Sequence, residues 1–257
     1  MYPILFSIGN ITLRTYGLFV AIGVLAGYNY ARYQGYHRRN IDPLFLSNIL
    51  FYTIIIGFIG GRLMYVLLNL NYYKKDVISI FKFWEGGLVF YGGFILGLLF
   101  GILYIKLKKR SLLDILDVVT PGLYLGLALG RIGCFCAGCC YGRPTESFLG
   151  VIFTHYESLA PTGIKLLPTQ LFEFVYSLII FLITHFLLIK NLLNGQLFFL
   201  GGIMYSVFRF INEFYRWDDR GGSIFGLSPS QVISIIIFIL FSILFFCIPK
   251  WRGKPLR

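Results

Sequence analysis

Five ionisable residues stand in stretches of chain that are poor places to keep a charge. Arg62, Arg131, Glu173, Arg209 and Glu213 fall inside or at the rims of long runs of Leu, Ile, Phe and Gly. A charge buried there is costly unless it is paired or faces water, so each marks an ion pair or a polar cavity. Around the last two, Tyr205, Arg209, Asn212, Glu213 and Arg216 recur at separations of three and four, which on a helix makes one stripe. Arg209 and Glu213 alone read equally well as a pair that merely neutralises itself. The further arginines favour a phosphate site, because a guanidinium presents a planar fork to phosphate oxygens and keeps its charge on partial burial.

The second concentration is of thiols. Cys134, Cys136, Cys139 and Cys140 lie within seven residues, and Cys247 stands alone. An odd count with one tight cluster is not a disulfide framework. Thiolates bind zinc and iron-sulfur clusters, but C-x-C-x-x-C-C has no distant CxxC or HxxxH to complete it. Four thiols so close together on a Gly-rich turn would strain to reach one tetrahedral centre, so no metal and no cofactor is expected. Two readings stay open: small residues that let backbone approach a ligand, and a thiol that carries or relays chemistry. His37, His155 and His185 are scattered and have no partner the sequence identifies.

These residues have to be positioned by helices in lipid. The chain is 57% hydrophobic, 19% aromatic and only 13% charged over 257 residues, too little polar surface to coat a water-soluble globule. Continuous apolar runs select membrane helices rather than barrel strands. Seven are expected, with edges uncertain by about four residues, at 13–34, 45–70, 87–105, 114–133, 169–189, 196–214 and 228–248. The fold class is therefore an all-α integral membrane protein, one polytopic domain over 1–257 with a head insertion at 134–168. Met1 to Asn10 lacks a basic n-region and is read as leading into the first helix, not as a cleaved signal. The glycines of GFIGGR and GGFILGLLFG are read as helix packing, not as phosphate loops. Trp84, Trp217 and Trp251 mark membrane boundaries.

The net charge of +12 sits in short clusters between apolar runs, which fits anionic headgroups and the positive-inside bias and argues against nucleic acid. Arg32, Arg38 and Arg39, then Lys106, Lys108, Lys109 and Arg110, then Lys190, and finally Lys250, Arg252, Lys254 and Arg257 mark the inside. Lys74, Lys75, Lys82, Arg143, Lys165, Arg216 and Arg220 lie on the other set of segments, diluted by Asp76, Glu85, Glu146, Glu157, Asp218 and Asp219. The N-terminus is then outside and the C-terminus inside. Arg62, Arg131, Arg209 and Glu213 fall at the outer ends of their helices, level with Tyr16, Tyr91, Gln170, Glu173, Ser228 and Gln231. A cavity open to the outer leaflet follows.

Seven stretches in order resemble the motifs of the prolipoprotein diacylglyceryl transferase family: RTYGLFVAIG at 14–23, GGRLMYVL at 60–67, GGLVFYGG at 86–93, LGRIGCFCAGCCYGRPT at 129–145, PTQLFEF at 168–174, YSVFRFINEFYR at 205–216 and LSPSQVIS at 227–234. The resemblance implies seven helices with a small extracytoplasmic head, in the bacterial inner membrane. It implies transfer of a diacylglyceryl group from phosphatidylglycerol to the lipobox cysteine of a prolipoprotein signal peptide, with release of glycerol phosphate. Arg131 and Arg209 match the family's two essential arginines and would hold the donor phosphate. Glu213 matches the glutamate one turn on and would orient Arg209, and Gly142 matches the required glycine. Tyr16, Arg62, Gln170 and Tyr205 match cavity-lining positions, with Arg216 and Cys134 beside them; Tyr16, Tyr91 and Tyr205 would position the headgroup or shuttle a proton.

Two positions depart from the family. Tyr91 stands where His is common in a His-Gly-Gly triplet, and Cys134 where Asn is common. Tyrosine titrates near pH 10, so Tyr91 is a poor replacement for a histidine base. The competing readings are a paralogue with another acceptor and a cationic lipid or solute transporter; the latter would show repeated halves and broken midplane helices, and the sequence has neither.

The orientation makes a direct prediction. In spheroplasts, an impermeant thiol reagent labels Asn71→Cys and Glu157→Cys in a background without the native cysteines, and leaves Arg110→Cys unlabelled. Labelling at position 110 from outside would reverse the topology.

Overall fold

The computed structural model describes residues 2–8, 11–74, 76–82, 87–218, 222 and 226–248. Trp84, Trp251, Lys75, Glu85, Gly86, Asp219, Arg220 and the terminal cluster Lys250, Arg252, Lys254 and Arg257 lie outside the described residues. Helices fall on each of the seven apolar runs: α1 (Thr15–Arg39), α2 (Pro43–Leu68), α4 (Phe90–Leu107), α5 (Leu112–Ala137), α6 (Thr169–Ile189), α7 (Leu197–Glu213) and α8 (Pro229–Cys247), with a single-turn α3 (Leu70–Tyr73) and a 3-10 turn at Val77–Phe81 between α2 and α4. Four of them, α2, α5, α6 and α8, are long and apolar enough to cross a membrane.

The protein is mostly helical, in keeping with the all-α expectation, and also carries two small antiparallel pairs. One is an N-terminal hairpin, β1 (Ile4–Ile8) with β2 (Ile11–Arg14), and the other joins β3 (Val151–Ile152) to β4 (Lys165–Leu166) between α5 and α6. The hairpin replaces the plain lead into the first helix expected for these residues, and its physical basis is local: Ile4, Phe6, Thr12 and Leu13 suit strands. In the α5–α6 segment, Phe153, Ala160 and Leu166 form a small core against Phe135 and Tyr141.

The helix starts follow local chemistry. Pro43 opens α2 behind Asp42, whose carboxylate accepts from the Leu44 and Phe45 amides. Pro229 opens α8 behind a reciprocal capping box between Ser228 and Gln231. The N-terminus of α7 has no cap of its own; Asp117, fully buried on α5, accepts from the Gly195 amide and from the Leu197 amide at 2.9 Å. That contact fixes the helix carrying Arg209 against the one carrying Arg131. α5 ends later than its apolar run predicts, at Ala137 rather than 133, because Gly133 serves as a packing surface and the stop comes at Gly138, in the left-handed region at φ +77°.

The chain divides into two compact units, residues 35–115 and residues 1–34 with 116–257. In the first, α2 and α4 meet through glycine. A Cβ on Gly60 would sit 2.6 Å from the Gly92 carbonyl oxygen, and one on Gly93 2.7 Å from that of Gly57. The glycine runs thus serve close helix packing. In the second unit α1 and α5 do the same: a Cβ on Gly23 would lie 2.6 Å from the Gly126 oxygen and one on Gly27 2.5 Å from that of Gly122, while Gly133 abuts the backbone of Tyr16.

Adding a methyl at a closed position and at an open one on the same helix tests this packing. Gly126→Ala loses about 1–3 kcal/mol by overpacking, whereas Gly130→Ala, with nothing within 4 Å of its Cβ, holds its stability or gains up to about 1 kcal/mol of helix propensity. Thermal unfolding in detergent micelles reads the difference; equal midpoints would refute it.

Candidate functional site

The site lies in the unit formed by residues 1–34 and 116–257, where four helix ends converge. The last turns of α5 supply Arg131 and Cys134, the first two turns of α6 supply Gln170 and Glu173, the second half of α7 supplies Tyr205, Arg209, Asn212 and Glu213, and the start of α8 supplies Ser230, with Ser228 at its N-cap. At its centre is Glu173, wholly buried. Its Oε1 takes a salt bridge from Arg131 Nη2 at 2.8 Å and a hydrogen bond from the Tyr205 hydroxyl at 2.8 Å, and its Oε2 faces Arg216 Nη1 at 3.9 Å. Arg216 in turn stands 3.8 Å from Glu213, and Glu213 pairs with Arg209 at 2.5 Å. The result is a line of five charges alternating in sign: Arg131, Glu173, Arg216, Glu213, Arg209.

Each carboxylate in the line is held from a second direction. Glu213 accepts from Ser228 at 2.9 Å while Arg209 donates to Ser230 at 3.1 Å, so the start of α8 braces that pair. Arg216 grips Asp218 with two hydrogen bonds of 2.9 and 2.8 Å. Burial alone would weaken the hold of Arg216 on its proton; Asp218 and the nearby Cys140 sulfur more than offset this and keep it charged. A wall of aromatic rings backs Tyr205, with Tyr124 at 6.1 Å, Tyr176 at 5.9 Å and Phe208 stacked on Tyr176 at 5.3 Å. In so apolar a setting an ion pair survives only with good geometry and extra hydrogen bonds, which this network has. Arginine carries five N–H donors, so the two at the ends of the line are the natural receivers for the oxygens of an incoming anion.

The segment after α5 closes the site. Gln170 donates to the Cys139 carbonyl at 2.7 Å and Thr169 to that of Cys140 at 2.6 Å. Gly142 donates its amide to the Leu167 carbonyl at 2.9 Å and bridges to Arg216; a Cβ there would meet the Leu167 oxygen at 2.7 Å and Thr169 Cγ2 at 2.8 Å. Only glycine fits this backbone crossing. Arg143 and Trp217 continue the stitching, through the Tyr215 carbonyl at 2.9 Å and the Tyr141 carbonyl at 3.2 Å.

The thiols divide. The sulfurs of Cys134, Cys139 and Cys140 lie within 4.8 Å of one another, and Arg131 Nη1 is 3.9 Å from two of them, Cys134 and Cys140. Hydrogen bonds from the Cys134 and Cys139 thiols, and then the charges of Arg216 and Arg131, hold the Cys140 thiol below its ordinary range. Two details of the thiol expectation change. Cys134 is on α5 and not on a turn, and although four thiols do not share a centre, three converge because α5 runs on past Cys134 and the turn at Gly138 brings Cys139 and Cys140 back.

Arg131, Arg209, Glu213, Tyr205, Cys134, Gly142, Gln170 and Arg216 thus come together as a group, and Tyr16 opens α1 with its backbone against Gly133. Arg62 and Tyr91 belong to the other unit. Tyr91 is an exposed residue in the first turn of α4. Arg62, expected to bind substrate, is buried with its guanidinium spent on main-chain carbonyls: Ile80 at 2.9 Å, Ser79 at 2.7 Å, and Gly87 and Lys82 at 3.2 Å. Those contacts tie its guanidinium to Ser79, Ile80, Lys82 and Gly87. Glu173 and Ser230 are not among the expected site residues. Glu173 carries a signal, as a charge in an apolar run, but its partners come from α5 and α7 and no spacing within one helix reveals them.

The sequence model of the family described as "Prolipoprotein diacylglyceryl transferase" matches residues 3–247. The chain is 38% identical over 256 residues to the phosphatidylglycerol–prolipoprotein diacylglyceryl transferase 2 of Clostridium perfringens, covering 99% of this chain and 98% of that one. It is 38% identical over 264 residues to the corresponding transferase of Clostridium tetani, at 99% and 100% coverage, and 33% identical over 239 residues to that of Dehalococcoides mccartyi, at 93% and 90%.

The position of Glu173 predicts unequal costs for its neighbours. Glu173→Gln takes the carboxylate partner from the half-buried Arg131 and removes one of the carboxylates facing the buried Arg216, and lowers stability by roughly 3 kcal/mol; Tyr205→Phe removes one charged hydrogen bond and costs about 1.5 kcal/mol. Chemical unfolding of the two variants checks the order, and equal losses would remove Glu173 from the centre of the network.

Proposed function

Since the chain belongs to the prolipoprotein diacylglyceryl transferase family, we propose that it moves the diacylglyceryl group of phosphatidylglycerol to a prolipoprotein cysteine, the opening step of bacterial lipoprotein maturation, and that the alternating line of charges is where it does so. The observation that carries this reading is an arginine at each end of that line, each already oriented by its own carboxylate. Seven helices span the bacterial inner membrane in this proposal, with the N-terminus outside, so that the site faces the outer leaflet. Phosphatidylglycerol enters laterally, and the signal peptide presents its lipobox cysteine from the same side.

Arg131 and Arg209 hold the phosphodiester, Glu213 fixes the plane of Arg209, and Gln170 and Gly142 keep the loop after α5 in place beside them. The acceptor sulfur attacks the glyceryl carbon bonded to the phosphate oxygen; a C–S bond forms, the C–O bond breaks, and glycerol phosphate leaves. Charge grows on that leaving oxygen, and fixed guanidinium groups in a water-poor site stabilise it without a metal. The thiol proton needs a destination. Tyr205 already donates to Glu173, so it can accept from the thiol as it passes its own proton to that carboxylate. Neutralising Glu173 loosens its grip on Arg131 at the moment the leaving phosphate gains charge. Tyr16 positions the headgroup, and Tyr91 takes the position of the family's usual histidine without serving as the base.

Purified protein, labelled phosphatidylglycerol and a lipobox peptide, with mass spectrometry of the peptide, give the test. The adduct of one diacylglyceryl group appears with the parent. Arg131→Lys and Arg209→Lys each lower its rate by about 100-fold, because lysine keeps the charge and loses the fork. Retention of activity by both would dispose of the phosphate clamp, and absence of any adduct under conditions where a relative works would dispose of the transfer itself.

A further inference from the structure

From the geometry we infer that Cys134, Cys139 and Cys140 form a binding site for one soft closed-shell metal ion, with copper(I) the best match. Their three sulfurs are within 4.8 Å of one another, the one set of possible ligand atoms among the described residues that converges in this way. Metal–sulfur bonds of about 2.3 Å around one centre put sulfurs roughly 3.8–4.0 Å apart. The trio therefore reaches metal-binding distances by shifts of under about 1 Å, within what a rotamer adjustment supplies.

The main chain that presents them is held from outside the cluster. Cys140 adopts φ +63°, unusual for a residue with a side chain, and the carbonyls of Cys139 and Cys140 are anchored by Gln170 and Thr169. Arg131 lies 3.9 Å from two of the sulfurs, which supplies a fixed positive charge next to an anionic thiolate set. Cys136 and Cys247 are outside the group. With three thiolates and, among the described residues, no converging histidine or carboxylate, the donor set is soft and three-coordinate. That favours copper(I) over zinc, which takes four ligands in structural sites, and excludes hard cations. On binding, each of the three S–H groups gives its proton to water and forms a bond to the metal; copper stays in the +1 state and no electron is transferred. This site stands on the thiol geometry and not on the transfer reading, so a metal measurement decides it separately.

The full-length reduced protein in micelles, titrated anaerobically with copper(I) against a colorimetric copper(I) chelator, should retain one copper per chain, as should Cys136→Ser and Cys247→Ser. Cys139→Ser and Cys140→Ser should hold copper at least about tenfold more weakly, with circular dichroism and gel filtration showing that each has folded; Cys134→Asn is the alternative where a serine variant fails to fold. X-ray absorption at the copper edge should count three sulfur neighbours. No retained copper in the parent, undiminished retention in the trio variants, fewer than three sulfurs, or a disulfide within the trio that takes up no copper after reduction would each overturn the site.

Discussion

A charge removed from water must find its counter-charge inside the protein, and in this chain that requirement organises everything around Glu173. Its carboxylate is wholly buried, and Arg131, Tyr205 and Arg216 surround it from three separate parts of the chain. Those parts must arrive together. The cap that Asp117 gives to α7, the serines at the start of α8 and the carbonyl anchors of Gln170 and Thr169 are the means by which they do. Stability and activity are therefore hard to separate here: the contacts that make the arginines tolerable in an apolar setting are those that aim them.

The same logic explains why the line carries arginine and not lysine at its ends. An ammonium is a compact point charge with three donors on one nitrogen and no planar fork. A guanidinium paired through one nitrogen still has donors on the other, so it can be held by the protein and offered to a ligand at once. The arrangement is a set of half-satisfied cations rather than free ones.

Much of this is legible in the amino-acid sequence. The apolar runs locate the helices to within a few residues, because lipid-facing and buried positions alike favour long apolar runs, and the stripe on α7 puts Arg209, Glu213 and Arg216 on one face. What the sequence hides is every relation between elements. Glu173 is visible as an expensive residue, yet its partners lie 42 residues back and 32 residues on, at Arg131 and Tyr205. Arg62 is equally expensive, and nothing in its surrounding sequence reveals the four main-chain carbonyls to which it donates. The thiol cluster misleads for a related reason: spacing says how far apart residues are along the chain, and the left-handed turns at Gly138 and Cys140 decide how far apart they are in space.

The glycine contacts between α1 and α5 have a consequence for how such a chain can change length. Tyr16 faces Gly133, Gly23 faces Gly126 and Gly27 faces Gly122, so each step along one helix is matched by an equal step back along the other. Three stations on one register leave no slack. Inserting or deleting a single residue between any two of them would turn everything beyond it by about 100° and bring a side chain against a carbonyl where only hydrogen fits. A change in length is then tolerated only outside these stations, and α1 and α5 act as a pair of matched rulers.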